Sequence, residues 1–127
     1  MIAAVTMAFQ NAATNGDGLT QFLPEPRTVR FRVTGNGSVS AGAVTIEYCP
    51  SMIATSTGLT PLPGSGTTWT SLTTISVPAN ATTEYRAQSV VGSVRARIST
   101  PITGGTATVL GVRQEDQKGW SRLLGEF

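Results

Sequence analysis

Apolar and polar residues alternate along most of the chain. In segment 28–35 (TVRFRVTG), Val29, Phe31 and Val33 fall on one side and Arg30 and Arg32 on the other. Segment 42–49 sets Val44, Ile46 and Tyr48 opposite Thr45 and Glu47. Segment 83–90 sets Tyr85, Ala87 and Ser89 opposite Glu84, Arg86 and Gln88, and 92–100 sets Val94, Ala96 and Ile98 opposite Arg95, Arg97 and Ser99. A period of two marks half-buried strands. Further strands are expected over 2–10, 67–78 and 105–113.

Turn chemistry separates these runs. Asn-Gly, Asp-Gly and two prolines make 11–26 a loop, and Asn-Gly-Ser (36–38), Ala-Asn-Ala-Thr (79–82) and Pro-Ile-Thr-Gly (101–104) read as tight connections. Segment 50–66 is rich in Gly, Pro, Ser and Thr and has no period. A loop of that length is uncommon in a compact domain and points to function or to ordering by a partner. The spacing predicts an all-β chain, an antiparallel β-sandwich of jelly-roll type with seven to eight strands. That domain covers 1–113. Residues 114–127 are expected to form a C-terminal arm, because Gly119 and Gly125 weaken a helix there while Trp120, Leu123, Leu124 and Phe127 ask for burial, preferably on a neighbouring subunit.

Composition narrows the chemistry. A chain of 127 residues fits one domain, and at this size no disulfide or metal is needed to support a core. Cys49 is the one cysteine and is expected to be buried and inert. Charged residues make up 13% of the chain, well below the usual share of about 25%; such a surface suits coverage by neighbours. A net charge of +2 is too small to argue for nucleic acid. No apolar run reaches the length of a membrane helix, and the start of the chain lacks the basic region of a signal peptide.

The chain has no histidine. A Ser-His-Asp or Cys-His arrangement is therefore impossible, and one cysteine leaves no zinc ligand set. Glu47 and Glu84 could imitate a glycosidase pair across a sheet, but both neighbour arginines, so cross-strand salt bridges are expected. Asn-Gly-Asp-Gly (15–18) supplies one carboxylate and no downstream bidentate Glu, so it reads as a turn and not as a calcium loop. Asn36-Gly-Ser and Asn80-Ala-Thr match the glycosylation pattern and are likewise read as turns. No catalytic, metal or cofactor site is expected.

The arginines are the sharper feature. Arg30, Arg32, Arg86, Arg95 and Arg97 all fall on the polar side of their strands, together with Glu47 and Glu84. One reading is a solvated face with weak ion pairs. The other is a contact surface, because arginine pairs bidentately with carboxylates and is enriched at interfaces. Phe31, Tyr48 and Tyr85 fall on the inner side, so no aromatic ladder for single-stranded nucleic acid is expected. Trp69 reads as core edge, with sugar stacking as its functional alternative.

The order "VRFRVTGNGSVSAGAVTIEYC", "GTTWTSLTTISVPA", "YRAQSVVGSVRARIST" and "GGTATVLGV" resembles a small β-sandwich domain of tailed-bacteriophage structural proteins, over residues 28–113. Similar patterns occur in sugar-binding discoidin-like modules. Where the phage pattern has a short turn, this chain has the long loop at 49–66. The resemblance implies a virion component made in the host cytoplasm. The first expectation is a capsid decoration (cement) protein, a trimer on the major capsid protein, held by burial of the face with the five arginines, the N-terminal strand, the 50–66 loop or the tail with Trp120, Leu123, Leu124 and Phe127 across subunit junctions. Tail, neck or fibre accessories are the alternative, and a carbohydrate-binding host-recognition module is the alternative of a different class. No nucleic acid, membrane, cofactor or catalysis is implied.

Overall fold

The computed structural model describes residues 4–50, 52–55, 58–61 and 69–114. It is all-β and antiparallel. Among the described residues there are six strands: β1 (Ala4–Ala13), β2 (Gln21–Cys49), β3 (Met52–Thr55), β4 (Gly58–Pro61), β5 (Thr70–Ser76) and β6 (Thr82–Gln114). Four of them form a sheet in the order β1-β6-β2-β5, and β3 and β4 pair with each other.

The expected short strands are largely there, but several are fused. β2 has 29 residues and β6 has 33, against a usual strand of about 5–6. Both are bent ladders. The first half of β2 pairs on one side with the start of β6, from Arg27↔Val90 to Thr34↔Thr82, and on the other with its end, from Val29↔Arg113 to Gly37↔Gly105. The second half of β2 pairs with the middle of β6, from Ala41↔Thr103 to Cys49↔Ser93, and with β5, from Ala43↔Ser76 to Tyr48↔Thr70. The expected turns at 36–38 and 101–104 thus bend the ladders without ending them, with positive φ at Gly37, Gly42 and Gly104.

Other boundaries move as well. β1 reaches Ala13, and β2 begins at Gln21, inside the expected 11–26 loop. Leu23 explains the early start: it is fully buried and lies opposite Gly92. The ladder then breaks between Leu23 and Arg27, where Pro24 and Pro26 have no N–H to contribute. Of the strand expected over 67–78, Thr70–Ser76 forms β5, which ends before Val77, and 67–68 lie outside the described residues. Within the expected 50–66 loop, β3 and β4 pair from Met52↔Pro61 to Thr55↔Gly58; β-branched Ile53, Thr55 and Thr60 suit that pairing. The expected arm with Trp120, Leu123, Leu124 and Phe127 lies outside the described residues, apart from Gln114, which belongs to β6.

One core gathers residues from both halves of each long strand. Val29, Phe31, Val33, Val44 and Ile46 of β2 meet Val94, Ala96, Ile98, Ala107 and Val109 of β6. Met7 and Phe9 of β1 and Ile75 of β5 join them. The Phe9 and Phe31 rings lie 5.4 Å apart and tilted by 48°, within the favoured range for aromatic pairs. Cys49 is buried and unpaired, as its sequence context suggests.

Candidate functional site: a buried carboxylate under two arginines

The alternation of 42–49 and 92–100 turns Thr45, Glu47, Arg95, Arg97 and Ser99 away from the apolar core. The ladder then places Glu47 opposite Arg95 and Thr45 opposite Arg97. Although it is on the polar side, the Glu47 side chain is only 7% exposed. Arg95 Nε donates to Glu47 Oε1 at 2.9 Å. Arg97 donates from Nε to the same oxygen at 3.2 Å and from a terminal nitrogen to Oε2 at 3.3 Å. The carboxylate is therefore gripped through both oxygens, in the geometry that makes arginine–carboxylate pairs strong.

Burial by itself would raise the Glu47 carboxyl. The hydrogen bonds from Arg97 and Arg95, with their positive charge, outweigh it and hold the group below the ordinary carboxylate value. The hydrogen bond to Glu47 in turn raises Arg97 against the effect of its own burial. Asp17, on the loop between β1 and β2, approaches Arg95 at 3.6 Å but is itself 64% exposed, so it adds little. The Arg95 guanidinium lies 4.1 Å from the Trp69 ring centroid, a cation–π contact that shields the cluster from the side of β5.

A chain of hydroxyls continues the same face. Thr45 Oγ1 donates to Ser99 Oγ at 2.8 Å, Thr45 and Thr74 hydroxyls meet at 3.0 Å, and Ser99 Oγ reaches the Ala43 carbonyl at 3.4 Å. On the loop side, Gln10 is buried and its Nε2 donates to the carbonyls of Gly16 and Ala96 at 3.1 and 2.8 Å. The buried side chains of Gln10, Thr45 and Glu47 thus all have hydrogen-bond partners, and a satisfied network of this kind holds its members in place.

The five sequence-predicted arginines thus separate into three groups. Arg95 and Arg97 are spent on Glu47 and are not free outward charges. Arg32 pairs with Glu84 at 3.2 Å, with both side chains about half exposed, so the expected cross-strand salt bridges of Glu47 and Glu84 are present. Arg30 and Arg86 face each other in the ladder and are exposed. Trp120, Leu123, Leu124 and Phe127 lie outside the described residues. The sequence reading missed the burial of Glu47, the stacking of Trp69 on Arg95, and Asp17. The available signal was Thr45-x-Glu47 facing Arg95-x-Arg97 in alternation. The second carboxylate at the cluster, Asp17, reaches Arg95 from the loop, and among the described residues no group of three or more potential metal ligands is gathered.

No protein-family model matches the chain, and no curated protein matches it. A solved structure does. The crystal structure of the SPBc2 prophage-derived protein YomS is similar at a TM-score of 0.56 and 17% identity, over 91% of this chain and 96% of that one. At that identity the likeness concerns the fold.

Proposed function

We propose that the chain is a non-enzymatic structural component of a tailed-phage particle, and specifically a capsid decoration protein that bridges major capsid subunits as a trimer. The observation that carries this reading is the fold likeness to a prophage-derived protein, which extends over nearly the whole of both chains. The phage-like order of motifs over residues 28–113 supports it independently. The strand pairing supports a finer description of the fold. Segments 4–13, 105–114, 27–37 and 82–90 pair in that order, as do 21–23, 92–103, 41–49 and 70–76. That order supports reading the fold as an eight-strand jelly-roll sandwich, an architecture common in viral structural proteins.

Decoration works by multiplicity. A small domain with modest contacts to each of several subunits gains avidity once it spans them. A small domain with few charges and an internally hydrogen-bonded Glu47 cluster suits that task. Tail, neck or fibre attachment uses the same physics and is the alternative placement. The carbohydrate-binding alternative rests on Trp69, whose ring is already occupied by Arg95, and is the weaker of the two.

The test is gold labelling of this protein on purified particles of the phage that encodes it. Label spread over the head lattice is the expected result. Label confined to the tail or neck selects the alternative, and particles without the protein overturn a virion role.

A further inference from the structure

Each of the four described carboxylates has an arginine partner: Asp17 has Arg95, Glu25 has Arg27, Glu47 has Arg95 and Arg97, and Glu84 has Arg32. Among the described residues, Arg30 and Arg86 are left without an acidic partner. They are register partners in the β2–β6 ladder, so their Cβ atoms stand about 4.5–5.5 Å apart on the same face. Two like charges directly opposite one another destabilise a sheet. The carboxylate nearest in register, Glu84, sits two residues along and is engaged by Arg32.

The two arginines line a hollow of about 80 Å³ with Thr28 and Val112. Pockets that enclose small molecules run to roughly 300–1,000 Å³, so this one suits a side-chain-sized group. Two guanidinium forks and a hydroxyl offer donors suited to a planar anion. Val112 supplies an apolar wall. Phe31 and Tyr85, the residues between the charged positions, turn to the core, so the face lacks the stacking platform that nucleic acid would use.

We propose that this hollow is a carboxylate-binding site, filled in the assembled state by an Asp or Glu side chain of a partner protein. The choice of a protein partner rests on the assembly role proposed above; the anion site does not. The free domain carries the Arg30–Arg86 repulsion, and a bridging carboxylate removes it. Binding is thereby favoured by the defect it corrects, and the site selects against partners that present a basic or neutral group there.

The experiment is NMR of the full chain, following arginine Nε–Hε signals at constant ionic strength. Sodium glutarate and sodium phosphate are titrated separately. Glutarate should shift Arg30 and Arg86 saturably while leaving Arg27 and Arg32 unmoved, and Arg86→Gln should weaken binding at least tenfold. Absent shifts, equal shifts at all arginines, or phosphate saturating tenfold below glutarate overturn the assignment. Arg86→Glu converts the repelling pair into an attracting one and should raise Tm by about 2–4 °C; an unchanged or lower Tm overturns it. Arg30→Gln/Arg86→Gln should reduce incorporation into particles at least tenfold, and full incorporation overturns the partner half of the proposal. Glutarate binding by a protein absent from particles refutes the assembly role and leaves the anion site standing.

Discussion

Replacing Glu47 by Gln removes the charge at the centre of the Arg95–Arg97 cluster and keeps the side-chain shape. Breaking a buried ion pair by deleting one partner costs about 3–5 kcal/mol when the other charge stays dry. Here the side chains of Arg95 and Arg97 are 17% and 34% exposed, so water relieves part of the loss and about 2–3 kcal/mol is expected. For a chain of this length each kcal/mol is about 3–5 °C, so Tm should fall by about 6–15 °C. Urea unfolding followed by circular dichroism at pH 7 measures the loss directly, with an unchanged m-value if only native stability is affected.

The pH dependence supplies a second reading of the same pair. Glu47 is held below its ordinary value in the folded protein. Its contribution is therefore fully present above the unfolded carboxyl value, about 4.3, and is lost as pH falls through the folded value. The gap between wild type and Glu47→Gln should be constant near neutrality and should close in acid. A double-mutant cycle with Arg97→Gln should return a coupling of about 1–2 kcal/mol. A Glu47→Gln loss under about 0.5 kcal/mol would refute the reasoning, because it would mean that the pair is screened like any surface ion pair.

Two further changes test the frame around the cluster. Phe9→Ala removes a ring that is 1% exposed and packed on Phe31; it should cost about 3–5 kcal/mol in urea unfolding, and a loss under 1 kcal/mol would mean that β1 is peripheral to the core. Gly35→Ala builds a Cβ into the backbone carbonyl of Pro78, and because Gly35 N also donates to the Ala81 carbonyl at 2.9 Å the strand has little freedom to shift. That substitution should cost about 1–3 kcal/mol, whereas a neutral result would show that the 78–81 turn moves freely.

The inward and outward sides of each strand were legible because alternation is local. Val29, Phe31, Val33, Val44, Ile46, Val94, Ala96 and Ile98 are all in the core, where the period of two puts them. The fusion of short strands into β2 and β6 was not legible. Asn36-Gly37 and Gly104-Gly105 carry the same turn chemistry whether the chain reverses or merely bends, and the choice depends on cross-strand partners about seventy residues away, such as Gly37↔Gly105. Pro24 and Pro26 likewise argued for a loop, yet they interrupt pairing for three residues between two paired stretches. Burial on the polar side was hidden for a related reason: what covers Glu47 is Arg95 and Arg97, 48 and 50 residues further on.

The sorting of the arginines shows how much pairing adds to pattern. Val-Arg-Phe-Arg-Val (29–33) and Val-Arg-Ala-Arg-Ile (94–98) are the same motif read along one strand. Their fates differ because their partners differ. Arg95 and Arg97 cross a strand that offers Thr45 and Glu47, one neutral and one acidic residue, and both guanidiniums converge on the single carboxylate. Arg30 and Arg32 cross a strand that offers Glu84 and Arg86, one acidic and one basic residue. Either in-phase alignment of Arg-x-Arg against Glu-x-Arg leaves one arginine facing another. The unpartnered pair was therefore implicit in the sequence once those two segments are known to be neighbours, and alternation alone does not identify neighbours. A strand pairing that leaves a like-charge pair under every such alignment is costly to the isolated domain, and it is the feature by which this face departs from the face around Glu47, where both arginines share a carboxylate.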